Sequence, residues 1–111
     1  MRLTPTEEDR LLVFAAAELA RSHLARGIRL NAPEVIALVC DAMHLAARAG
    51  GDYEAVVRAG RAAVDAATVL DGVRGLVREV RLEVVLEEGT RLVVLVDPLG
   101  PGPDAVTGIE R

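Results

Sequence analysis

Asp41, His44 and Arg48 are the densest grouping of chemistry-bearing side chains in this sequence. Steps of three and four residues put a carboxylate, an imidazole and a guanidinium on one face wherever the segment is helical. A carboxylate and an imidazole at that spacing are two potential metal ligands, whereas a tight zinc site needs three or four. The rest of the inventory does not supply them. The second histidine, His23, falls on a different predicted helix, near its C-terminal end, where an imidazole suits the helix dipole. The single cysteine, Cys40, excludes an intramolecular disulfide and any cysteine-based zinc site. It stands among Val39, Ala42 and Met43 and reads as a small buried hydrophobe. No nucleophile, base and orienting group can be assembled. Gly50-Gly51 lacks the spacing and the strand-to-helix context of a phosphate loop. Asp41, His44 and Arg48 are therefore read as a solvated polar face, with no catalytic residue, cofactor-binding residue or metal ligand assigned. A small metal hydrolase built on Asp41 and His44 is the competing reading.

Composition narrows the partners. The chain has 111 residues, room for one domain but not for two stable cores. It is 51% hydrophobic with one Phe, one Tyr and no Trp, so its core must come from Leu, Val, Ile and Ala. A mean hydropathy of +0.30 is high for so small a domain and points to apolar surface used in an interface. All 13 basic residues are Arg, and against 17 acids they leave a net charge of −4 with no basic stripe, which argues against nucleic acid. Arg2, Arg10, Arg21, Arg26 and Arg29 are interleaved with Glu7, Glu8, Asp9 and Glu18, so intrahelical pairs such as Glu18 with Arg21 are expected. No run reaches the roughly 18 apolar residues of a membrane span, and the N-terminus does not match a secretory signal. The expected location is the cytoplasm.

The elements that would position these residues are legible in the start and stop signals. Thr4-Pro5-Thr6-Glu7 opens a long helix with a cap, a proline at the first helical position and a capping-box glutamate. Leu11, Leu12, Phe14, Ala15, Leu19 and Leu24 recur along it, with Ala16, Ala17 and Ala20 between them, so this helix is expected to touch more than one neighbour before ending near Arg26-Gly27. Asn31-Ala32-Pro33-Glu34 starts a second helix running to about Ala49. Asp52 caps a third over Tyr53 to about Val64, and a short helical segment is expected over Thr68 to Leu76. From Val80 the period changes to two, and residues 79 to 96 read as a β-hairpin turning at Glu87-Glu88-Gly89-Thr90. The expected fold class is α+β: a bundle of about four helices over residues 5 to 76, then a C-terminal two-stranded antiparallel hairpin. Residues 1 to 99 form the domain, and the Gly- and Pro-rich residues 100 to 111 are expected to be disordered.

Several runs resemble one known family. Leu3-Thr4-Pro5 with Glu7, then Ala25-Arg26-Gly27-Ile28-Arg29-Leu30-Asn31 with Pro33-Glu34, Asp71-Gly72-Val73, and Glu88-Gly89-Thr90-Arg91-Leu92-Val93 before Pro98 are similar, in order and spacing, to the urease gamma subunit. The similarity covers residues 1 to about 99. It implies a non-catalytic structural subunit of a bacterial urease, assembled with alpha and beta subunits and with itself around a threefold axis. The alpha subunit of that family holds two nickel ions and hydrolyses urea to ammonia and carbamate, so no cofactor is expected in this chain. Departures mark a divergent member. Ala32 replaces an aromatic or His, Leu70 a Met, and Leu86-Glu87-Glu88 a Phe-Pro-Asp; Val96-Asp97-Pro98-Leu99 lacks the usual His before Pro. No fused beta subunit begins after Gly100, so a separate beta chain is expected. Arg26, Arg29, Asn31, Pro33 and Glu34 are the candidate subunit-contact residues. The alternative to a urease subunit is a helical adaptor that associates with itself through the first helix and the hairpin.

Overall fold

The computed structural model describes residues 1–100, so the expected disordered tail lies, apart from Gly100, outside the described residues. Helix α1 (Pro5–Ala25) begins with the predicted capping box: Thr4 Oγ1 accepts from the Glu7 N–H, and Glu7 Oε1 accepts from the Thr4 N–H at 2.7 Å. The same device starts α2 (Ala32–Arg48), where Asn31 Oδ1 accepts from the Glu34 N–H and Glu34 Oε1 from the Asn31 N–H. Asp52 caps α3 (Tyr53–Ala62) through the Ala55 N–H. Each reciprocal cap satisfies donors that a helix start otherwise leaves unpaired. Gly27 and Gly50 take the left-handed conformation, φ +75° and +91°, that closes α1 and α2.

The short helix expected over Thr68 to Leu76 is replaced by three pieces. A 3-10 turn covers Ala66–Thr68, Val69 is extended, and α4 spans only Val73–Leu76. The break has a tertiary cause: Val69 forms a parallel bridge with buried Leu30, in which the Leu30 N–H donates to Thr68 O and the Leu70 N–H donates to Leu30 O. Gly72, at φ +86°, then turns the chain into α4. Strands β1 (Glu79–Leu86) and β2 (Gly89–Val96) pair antiparallel from Glu79 opposite Val96 to Leu86 opposite Gly89. Glu87 and Glu88 are the whole loop, so β2 starts three residues before the apolar run that announced it. The architecture is the expected one, four helices followed by a two-stranded antiparallel sheet.

Helix α2 is the centre of the packing. It lies against α1, α3 and β1, and its Val35, Val39 and Met43 are fully buried. The inner face of the hairpin adds Val80, Val84, Val93 and Leu95, and α3 adds Val56. Burying each such side chain contributes about 1.5–3 kcal/mol. By contrast, α1 contributes only Ala17 and Ala20 as fully buried residues and packs mainly on α2. Leu11, Leu12, Phe14 and Leu19 remain exposed, Leu12 to 68%. Among the described residues, α1 has no second neighbour packed on it as extensively as α2.

Candidate functional site

The polar residues singled out in the sequence meet at the seam between α1 and α2. Asp41 is fully buried, which corrects the expectation of a solvated face. Its Oδ1 accepts from Arg10 Nη1 and its Oδ2 from Arg21 Nη2, both at 2.9 Å. Period alone misses this, because the two arginines come from α1, 31 and 20 residues away. Arg21 also donates from Nε to Glu18 Oε1, the intrahelical pair expected from the sequence, and its guanidinium stands 6.0 Å from the Phe14 ring centroid. Burial opposes the charge on Arg21, but its bonds to Asp41 and Glu18 prevail and raise its pKa. A buried carboxylate with a guanidinium on each oxygen is a staple between two helices.

The trio that sequence spacing placed together is divided. Asp41 turns into the seam, while His44 and Arg48 line a groove of about 840 Å³ between the start of α1, the end of α2 and β1, together with Leu3, Leu11 and Val85. Burial, and then the nearby charge of Arg10, depress the pKa of His44 against an opposing pull from Asp41. At the other end of the seam, His23 Nδ1 hydrogen-bonds Glu34 Oε2. A carboxylate can only accept, so the hydrogen is on Nδ1. His23 therefore has a specific partner beyond the helix dipole. Cys40 is buried as expected, and burial pushes its thiol pKa up, away from thiolate chemistry.

The five candidate contact residues separate as well. Arg26, Arg29, Asn31 and Pro33 are exposed, with Arg26 bonded to Ser22 and Arg29 to Asp71. Glu34 is buried, one oxygen on the Asn31 N–H and the other on His23, so it organises that surface from below. Among the described residues no three His, Cys, Asp or Glu side chains converge as a metal site would require, and no helix is long and apolar enough to cross a membrane.

Fold and seam define a small α+β domain stapled internally by charge and bearing an apolar helix face outward. The chain belongs to the urease gamma subunit family: the family model "Urease, gamma subunit" matches residues 1–99. It is 52% identical over 102 residues to a protein of Streptomyces avermitilis described as "Urease subunit gamma/beta", and 50% identical to the protein of that description from Streptomyces coelicolor. Each match covers 92% of this chain and 45% of the relative, so the chain spans less than half the length of those two proteins. A "Urease subunit gamma" from Saccharopolyspora erythraea is 44% identical over 99 residues, 89% of this chain and 99% of that one.

Proposed function

We propose that this chain is a non-catalytic structural subunit of a bacterial urease, acting in the cytoplasm by packing against alpha and beta subunits and against copies of itself around a threefold axis. Urea hydrolysis to ammonia and carbamate belongs, in this proposal, to a nickel-holding alpha subunit. The observation that carries it is the outward face of α1, with Leu11, Leu12, Phe14 and Leu19 exposed on a chain of the urease gamma family. Contiguous exposed apolar surface on a small domain marks an interface.

The residues present do not fit a nickel ion. Both oxygens of Asp41 already accept from guanidinium groups, His23 is bonded to Glu34, and among the described residues His44 belongs to no group of three His, Cys, Asp or Glu side chains. That donor chemistry also disfavours a metal hydrolase on Asp41 and His44. Arg26, Arg29, Asn31 and Pro33 extend the proposed contact surface, and Arg26→Glu is expected to weaken co-purification with the alpha subunit. The test is co-expression with the alpha and beta chains and the nickel accessory proteins, with ammonia release from urea as the assay. An active stoichiometric complex, with the isolated chain inactive and nickel-free, supports the proposal. If properly folded alpha and beta chains are not captured, the self-associating adaptor takes its place.

A further inference from the structure

The two outer edges of the hairpin differ. Pairing runs from Glu79 opposite Val96 to Leu86 opposite Gly89 without a bulge, and just before it the Asp97 N–H donates to Arg78 O at 2.7 Å. Bonded and non-bonded pairs alternate along an antiparallel ladder. The backbone groups of Val80, Leu82, Val84 and Leu86 therefore face β2, and those of Arg81, Glu83 and Val85 face away from it. On β2 the same count turns Val96 outward, and there its carbonyl accepts from Arg61 Nη1 of α3 at 3.1 Å. On β1 the outward groups of Arg81, Glu83 and Val85 have no backbone partner among the described residues. The groove between the start of α1, the end of α2 and β1 opens on this edge: Arg81, Leu82, Glu83 and Val85 line its strand side, Leu11 and Leu45 its helix side. Of the four inward residues of β1, Val80, Val84 and Leu86 are buried and Leu82, at the groove, is only half-buried. Arg81 is bonded to Glu79, whereas Glu83 takes part in no ion pair among the described residues.

The geometry points to the β1 edge as a binding site for an extended peptide segment of a partner protein, which enters the groove and adds an antiparallel third strand. A row of outward N–H and C=O groups is matched by another extended backbone. From Arg81 to Val85 the row is about 17 Å long. Edges that must stay bare are blunted by proline, a bulge or an inward-pointing charge. The β1 strand has none of these: its inward residues are Val80, Leu82, Val84 and Leu86. Its charges stand on the outer face, where they select among partners. Because side chains alternate with a period of two, the chemistry of the peptide is fixed as well. It carries an apolar residue opposite Leu82, a basic one opposite Glu83 and an acidic one opposite Arg81. A second copy carries a similar pattern in its own β1 but brings α1 and α2 with it, which a groove of about 840 Å³ does not hold; a bare strand fits. The site follows from backbone parity and charge, and does not depend on the urease assignment.

The experiment is residue-resolved amide hydrogen exchange by NMR on the full-length chain, with two end-capped peptide probes. One alternates valine with a lysine placed opposite Glu83 and a glutamate opposite Arg81; the other exchanges that lysine and glutamate. In the dilute chain alone, the N–H groups of Leu82 and Val84 should exchange slowly and those of Arg81, Glu83 and Val85 fast. Millimolar first peptide should slow the outward three about fivefold or more, and bind about threefold or more tightly than the second. The double variant Arg81→Glu, Glu83→Arg should reverse that preference. Glu83→Pro removes one outward N–H at a position where an edge strand tolerates proline, and should abolish protection at Arg81 and Val85. Should that variant fail to fold, the charge reversal still decides. Outward amides already slow in the dilute chain, slowed by raising the chain's own concentration, unprotected by either peptide, or protected equally by both, each overturn the proposal. Urease assembly is read separately by ammonia release, so either conclusion can fail without the other.

Discussion

Asp41 and its two arginines are unequal partners in the seam. The carboxylate is wholly buried, whereas the Arg10 and Arg21 side chains keep 31% and 41% of their surface in water. Deleting Asp41 lets both guanidinium groups turn outward; deleting both arginines strands a buried charge. Asp41→Ala is therefore expected to cost about 1–3 kcal/mol, and the Arg10→Ala, Arg21→Ala double variant about 3–5 kcal/mol, both read from urea denaturation. Equal losses would contradict this asymmetry. His44 gives a signed pH dependence. Its folded pKa is depressed, so as pH falls below about 6.5 the unfolded chain takes up the proton first and stability declines. Denaturation midpoints should be level above that pH and fall below it, and His44→Gln should flatten that part of the profile. An unchanged slope in the variant would assign the pH dependence to another group.

At the scale of elements, the helix starts are local and the helix contacts are not. Asn31 and Glu34 cap each other within one turn, and Asn31→Ala is expected to lower stability by about 1 kcal/mol. Because Glu34 also holds His23, the loss extends to the link between the α1 end and the α2 start. Gly60 lies in the middle of α3, where glycine is intrinsically poor. The reason is across the interface: a Cβ there would stand 2.5 Å from Leu95 Cδ1 and 2.9 Å from Met43 Cγ. Close approach of α3 to β2 and α2 thus depends on a missing side chain. Gly60→Val is expected to destabilise by about 1–3 kcal/mol through overpacking, measured by thermal unfolding. Stabilisation by that substitution would mean that α3 is free to withdraw.

As a whole the molecule is flat, with extents of 49 × 34 × 20 Å and a radius of gyration of 14.7 Å, above the roughly 13 Å of a compact domain of about 100 residues. A slab 20 Å thick has room for one buried layer. The outer side of α1 cannot share in it. The leucines there carry little of the isolated fold: Leu12→Glu should change its stability by less than about 0.5 kcal/mol. The same change is expected to reduce assembly with partner chains, seen as a shift to smaller species in size-exclusion chromatography of the co-expressed complex. A large loss of stability in the isolated chain would instead make Leu12 part of the fold itself.

Sequence by itself determined what depends on neighbours within a turn or a repeat. The caps at Thr4, Asn31 and Asp52, the stops at Gly27 and Gly50, the alternation of β1 and the Glu18–Arg21 pair all follow from spacing, and each was legible. The collinear motifs likewise carried the family. Tertiary structure decided what depends on residues brought from afar. Spacing put Asp41 on a face but could not say that two arginines of α1 would enclose it, because a carboxylate at that period is equally at home in water. Nor could local propensity foresee that Leu30 would pull Val69 out of the short helix expected over Thr68 to Leu76, since a segment of that length is only marginally helical by itself. The exposed row on α1 belongs to both levels: periodicity announced its apolar residues, and only the packed structure showed that they stay exposed among the described residues.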